Sequence, residues 1–168
     1  LGIRYGYIEQ LDDELLRISK ESFDALSFNC YALSPDHEKM NHALEISGLP
    51  MIIGEYHFGT VDRGLAQSLW QVNSQKERGD AFRYYTENAF AHRGLIGTGW
   101  FRWIDQNING RTDGENYNCG FIDVTDRPYP YMAIKTAKSL YEIHSGTKTP
   151  FHQAPNAVGH SPMPDLWE

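Results

Sequence analysis

The stretch Gly48-Leu49-Pro50-Met51-Ile52-Ile53-Gly54-Glu55-Tyr56-His57-Phe58-Gly59 runs an apolar strand straight into a carboxylate. Met51 to Ile53 is too uniformly apolar for a half-solvated strand and reads as a buried one, covered on both faces as parallel strands are. Glu55 then emerges at the C-terminal end of that strand, the edge at which open α/β sheets and α/β barrels place their active sites. The plainer account is a strand-end glutamate that turns into solvent or pairs with a neighbouring arginine.

Working outward, Leu1 to Tyr7 is a short strand-like run. Leu11 to Lys20 reads as a helix with Asp12, Asp13 and Glu14 in its first turn and Leu15, Leu16 and Ile18 on its apolar side. Asp24 to Tyr31 predicts a second strand. Ser34-Pro35 supplies a cap and a first-turn proline for a helix whose Met40, Ala43 and Leu44 share a face, and Gly48 and Pro50 stop it. Downstream, Ser74-Gln75-Lys76-Glu77 has the form of a capping box opening a helix with Phe82, Tyr85 and Ala89 on one side, ending at Gly94. Leu95 to Trp103 predicts a fourth strand, Gly114 to Asp126 a long loop with some strand character, and Pro130 a last helix using Ala133, Ala137 and Leu140. Past Gly146 the chain turns to Pro, His, Gly and Ser, which predicts an irregular tail over 147–168, disordered or loosely wrapped on the surface.

The order β-α-β-α-β-α-β-α, with crossover helices long enough for parallel strands, is an α/β pattern that makes half of a (β/α)8 TIM barrel. A free-standing doubly wound sheet is the alternative. No glycine-rich phosphate loop follows any of the strands, so a nucleotide fold has little support.

Composition narrows the partners. The chain has 168 residues, a formal charge of -7, and 4 Trp, 10 Tyr and 8 Phe, more aromatic rings than a small core needs. With a pI near 5.4 and no basic stripe, nucleic acid and acidic membrane surfaces are excluded as expected partners, and a neutral ligand such as a sugar is the easier one. The two cysteines, Cys30 and Cys119, have no metal-ligand or redox spacing, and whether they pair is left open. The first residues carry no signal peptide or spanning segment, and the chain, beginning at Leu1, reads as a piece cut from something longer.

Each strand ends in polar or aromatic residues: Arg4, then Asn29 and Tyr31, then Glu55 and His57, then Trp100, Trp103 and Asp105. Singly each has an ordinary structural account, an ion pair for Arg4, a turn cap for Asn29, a core position for Trp100. Together they converge, because strand ends are neighbours in a barrel. In such a site Glu55 would attack an anomeric carbon, given a second carboxyl roughly 5 Å away to protonate the leaving oxygen. Tyr31 and Arg4 are candidates to hold the nucleophile by hydrogen bonds. Trp100 and Trp103 would stack on sugar faces, with His57, Asp105, Gln106 and Asn116 bonding to hydroxyls. The loop Asn109 to Asn118 is rich in oxygen ligands but lacks the spacing of a calcium loop, so no metal and no cofactor is expected.

The segments PMIIGEYHFG (50–59), GTGWFRWIDQ (97–106), GRTDGENYNCGFIDVTDRPYP (110–130) and DALSFNCY (24–31) resemble the C-terminal half of glycoside hydrolase family 50, the β-agarases, in the clan of retaining (β/α)8-barrel glycosidases. The similarity runs over residues 1 to 145. It implies that the strands here are strands five to eight, that Glu55 is the nucleophile at the end of strand seven, and that Trp100 is the aromatic residue at the end of strand eight. It implies further that residues 1–146 are half of a catalytic domain needing its N-terminal half. The general acid/base would lie upstream of Leu1, and the isolated chain would be inactive; Glu115, otherwise a rim residue facing substrate, is the one tempting substitute. The implied substrate is a galactan, agarose foremost, cleaved at β-1,4 bonds outside the cytoplasm or in the periplasm. A β-galactosidase, a porphyranase-like hydrolase and a non-catalytic galactan-binding protein are the rivals.

Overall fold

The computed structural model describes residues 3–131 and 139–160. Strand β1 (Arg4–Tyr5) leads through a 3-10 turn (Ile8–Gln10) into helix α1 (Asp13–Ser22). The Asp12 carboxylate caps α1 by accepting from the Leu15 N–H at 2.8 Å. Strand β2 (Leu26–Asn29) and helix α2 (His37–Ser47) follow. Asp36 rather than Ser34 caps α2, accepting from the N–H groups of Glu38 and Lys39, and Gly48 ends it in the left-handed region at φ +67°. Next come strand β3 (Met51–Tyr56), the short strand β4 (Trp70–Gln71) and helix α3 (Gln75–Phe90). Ser74 Oγ accepts from the Glu77 N–H at 3.2 Å, but the Glu77 carboxylate reaches Asn73 instead of closing the box on Ser74. Strand β5 (Leu95–Trp100), helix α4 (Leu140–His144) and strand β6 (Val158–Gly159) complete the order. The fourth strand thus stops three residues short of Trp103. Leu1 and Gly2, the helix positions Ala133 and Ala137, and residues 161–168 lie outside the described residues.

Strands β1, β2, β3 and β5 form one parallel sheet in chain order, with no reversal of direction across it. Strands β4 and β6 form a separate antiparallel ribbon that the sequence pattern did not announce.

The helices cover one face of the sheet. Leu26, Phe28, Met51, Ile53 and Leu95 are fully buried against Leu16 of α1, Met40 and Ala43 of α2, and Ala81, Tyr85 and Ala89 of α3. The other face is the row Arg4–Ser27–Ile52–Gly97, paired residue by residue across the four strands and only partly covered. This corrects the expectation that β3 is buried on both faces. Met51 and Ile53 meet helices, whereas Ile52 looks onto a side where the described residues supply no second layer.

Candidate active site

At the C-terminal edge the β2–β3 register slips, so that Asn29 pairs with Glu55 rather than Gly54. Such irregularities re-aim a side chain at a strand end, and here Glu55 collects donors from two neighbouring strands and the turn beyond. Arg4 Nη1 donates to Oε1 at 2.7 Å; Tyr31 OH and Asn29 Nδ2 donate to Oε2 at 2.8 and 3.2 Å. Gly54 makes room for this. A Cβ there would stand 2.8 Å from Arg4 Cδ, 3.1 Å from Ser27 Oγ and 3.2 Å from Asn29 Oδ1. Glu55 keeps 19% of its side chain open to solvent. Burial and the bond to Glu55 push the Tyr31 hydroxyl well above its ordinary pKa, so it stays a neutral donor. Asn29 Oδ1 is buried and has no hydrogen-bond partner among the described residues.

Glu55, Asn29 and Tyr31 line one side of a cavity of about 250 Å³; His57, Leu69, Phe101, Arg111, Glu115 and Tyr7 complete it. His57 is buried and uses both ring nitrogens on backbone: Nε2 accepts from the Leu69 N–H at 3.1 Å, so Nδ1 carries the proton and donates to the Phe101 carbonyl at 3.1 Å. Burial pulls its pKa down to about 3, which keeps it neutral. On the far wall Glu115 Oε2 accepts from Gln106 Nε2 at 2.7 Å and faces Arg111 Nη1 at 3.3 Å, while Arg111 Nη2 lies 2.7 Å from Asp113.

The other sequence candidates sit elsewhere. Trp100 is not on the cavity wall; its ring packs against Tyr56, Phe82 and Phe121 at centroid distances of 5.2, 5.4 and 5.4 Å, and its N–H donates to the Cys119 carbonyl at 2.6 Å. Trp103 is 68% exposed. Gln106 is fully buried, its carbonyl taking the Tyr117 N–H at 2.6 Å. Asn116 Oδ1 accepts from the Ala66 N–H at 3.3 Å. Asp105, also buried, accepts from Gly120 N–H at 2.7 Å, Tyr129 OH at 2.7 Å and Asn118 Nδ2 at 2.9 Å. Both cysteines are free and buried.

Sequence reading missed Arg78, which has no solvent exposure. Its guanidinium donates to the Phe58 carbonyl at 3.0 Å, to Gln75 Oε1 at 2.9 Å, to Asn118 Oδ1 at 3.4 Å and to the Gly120 carbonyl, and lies 4.8 Å from the Tyr129 ring centroid. Asn118 and Gly120 therefore each accept from Arg78 and donate to Asp105, tying two buried charges together through intermediates. A Cβ at Gly120 would run into the Asp105 backbone nitrogen and the Ile122 carbonyl. In sequence Arg78 looks like any exposed arginine of α3; only the three-dimensional arrangement distinguishes it. Arg111 and Tyr7 were missed for the same reason.

No protein-family model matches the chain. It is similar to β-agarase A of Vibrio sp. strain JT0107, 39% identical over 116 residues that make 65% of this chain and 12% of that one. β-Agarase B of the same organism is 38% identical over 128 residues, 72% of this chain and 13% of its relative. Among solved structures, the one titled "Structure of PfGH50B" superposes at a TM-score of 0.73 and 38% identity, covering 80% of this chain and 20% of that one. The relatives it matches are named β-agarases, which are glycoside hydrolases. The chain belongs to glycoside hydrolase family 50, the β-agarase family. It spans about an eighth of the length of the curated relatives it matches.

Proposed function

We propose that this chain is the nucleophile-bearing part of a retaining glycosidase that cleaves β-1,4 bonds of agarose. The observation that carries the reading is the Glu55 carboxylate, gripped by Arg4, Tyr31 and Asn29 yet partly open to a polar cavity. Glu55 attacks the anomeric carbon, the glycosidic oxygen leaves with a proton from a second carboxyl, and water then displaces Glu55 from the covalent intermediate. That proton donor comes from sequence outside this chain, which hydrolyses agarose poorly alone, since losing a general acid typically forfeits about 10²–10⁴-fold in rate. Asn29 Oδ1, buried without a partner among the described residues at a typical cost of about 1–3 kcal/mol, is an acceptor held open for a sugar hydroxyl.

The sheet is read as strands five to eight of a (β/α)8 barrel. Two features support this: strand order runs in one direction without the switch point of a doubly wound sheet, and α1, α2 and α3 all cover the same face. The partly covered face is then the barrel interior, which the N-terminal half completes; residues 1–146 belong to that catalytic domain, and 147–168 form its tail.

Charge favours a neutral galactan over a sulfated one, and so an agarase over a porphyranase-like enzyme. Arg4 is matched by Glu55, and Arg111 by Asp113 and Glu115, leaving no uncompensated cation among the described residues that line the cavity. A polymer of this kind is too large to import, which places the enzyme outside the cytoplasm or in the periplasm. No helix among the described residues is long and apolar enough to cross a membrane.

Incubating the full-length parent with a mechanism-based 2-fluoro-galactoside should add its mass to the peptide containing Glu55, and Glu55→Gln should abolish turnover while sugar binding persists. Unlabelled protein that still hydrolyses agarose overturns the nucleophile. Binding with neither label nor turnover identifies a galactan-binding protein instead.

A further inference from the structure

Between Gly146 and His160 the chain is tied down rather than loose. Phe151 lies 4.4 Å beneath the Arg83 guanidinium, its N–H donates to Glu87 Oε2 at 2.7 Å, and its carbonyl accepts from Asn88 Nδ2 at 3.0 Å. Glu87 is fully buried, with Arg83 Nε 2.7 Å from its other oxygen, so this anchor on α3 satisfies a carboxylate that has left water. Beyond the anchor, β6 pairs with β4, and the His160 N–H donates to the Leu69 carbonyl at 2.8 Å. A two-stranded ribbon of this length is marginal in isolation; the Phe151 anchor holds it in place.

Leu69 faces the cavity, and its own N–H is the donor on His57 Nε2. The His57 ring in turn meets the Tyr31 ring edge-on at 4.9 Å, and Tyr31 holds Glu55. We propose that the segment 148–160 is a positioning strap for the cavity: by binding the Leu69 carbonyl and pairing with Trp70 and Gln71, it keeps the Leu69 N–H on His57 and so fixes the ring against which Tyr31 packs. Leu69, His57 and the strap are positioning residues. Only their consequence for turnover rests on the glycosidase reading.

The test uses the full-length parent labelled with ¹⁵N, the same protein ended after Asn156, and Gly159→Val. A Cβ at 159 would stand 3.1 Å from the Trp70 ring, so a branched side chain there lifts the strap without touching the cavity. In both variants the His57 Nε2 resonance should move toward that of an unbonded pyridine-type nitrogen. Exchange of the Leu69 amide should speed about tenfold while the Met51 and Ile53 amides stay protected. Unmoved His57 and Leu69 signals in both variants would overturn the strap's role. Equal loss of protection at Leu69, Met51 and Ile53 overturns it too, since the tail would then be a general stabiliser. Neither readout involves a sugar, so this inference fails separately from the proposed activity.

Discussion

On the strand side of the cavity, Arg4, Asn29 and Tyr31 direct their donors at a single carboxylate, Glu55. On the loop side, Asp105 and Asn118 direct their polar groups at one another, at Tyr129, at Arg78 and at backbone, and Gln106 spends its own on Glu115 and the Tyr117 N–H. The strand wall needs little internal polar bonding because the sheet and its helices already fix the backbone. The loop wall has no such frame: among the described residues it makes only isolated bridges, so buried side chains must satisfy its backbone groups. Similar residue types thus surround a partly open carboxylate on one wall and hold the fold together on the other.

If that contrast holds, the largest loss of stability comes from the loop wall. Arg78→Met removes the cation that Asn118 and Gly120 relay to Asp105 and leaves a buried carboxylate uncompensated. The expected cost is about 3–5 kcal/mol, read from urea unfolding midpoints. A change below about 1 kcal/mol, the worth of one ordinary hydrogen bond, would mean that the network does not hold the wall.

The strand wall should respond in the opposite way. Tyr31→Phe keeps the ring that packs on His57 and deletes the bond to Glu55. Turnover by the parent should fall by about 1.5–3 kcal/mol of transition-state stabilisation, the range for a hydrogen bond to a charged group, with little change in the unfolding midpoint. A variant that loses stability and keeps its rate would make Tyr31 a packing residue and erase the distinction.

His57 joins the two walls, and pH reports on it. Its folded pKa, pulled down by burial to about 3, lies below the ordinary 6.5 of the unfolded chain. Between those values the unfolded state binds a proton that the folded state refuses. The stability His57 contributes is therefore complete above about pH 6.5 and lost as pH falls toward 3, with a slope of about 1.4 kcal/mol per pH unit. Urea midpoints at pH 7.5, 5.5 and 4.5 should fall once pH drops below about 6.5, and His57→Gln should shallow that fall without abolishing it, because burial also pulls the His92 pKa down, to about 4.

What the sequence disclosed follows the same division. Met51–Tyr56 was legible because a short apolar run ending in a lone acid has few other accounts, and Arg4, Asn29 and Tyr31 followed from strand-end position. Arg78 was not, because amphipathic reading assigns an arginine of a charged helix to solvent. Asp105 and Gln106, named as hydroxyl ligands, are buried in internal bonds, since local polarity does not reveal whether a loop side chain bonds to its own backbone or to a ligand. The tail was unreadable for a related reason: its anchor, Phe151 on Glu87 and Asn88, joins residues more than 60 positions apart.

The two tryptophans at the end of β5 and just beyond it, Trp100 and Trp103, give the smallest effect and the finest test. Trp100 packs into an aromatic cluster and bonds to the Cys119 carbonyl. Trp103, three residues on, holds the loop through its carbonyl, which accepts from Phe121 and Ile122 at 2.8 and 3.1 Å, while its ring stays 68% exposed. Trp103→Ala keeps that carbonyl, so stability should stay within about 0.5 kcal/mol. Agaro-oligosaccharide binding by the parent, measured calorimetrically, should weaken by about 0.5–1.5 kcal/mol, the worth of one aromatic contact. Unchanged affinity would leave the exposed ring without a ligand and confine binding to the strand wall. A large stability loss would instead place Trp103 with Trp100 among the residues that hold the loop together, because a ring that open to water stabilises a fold only by packing on something.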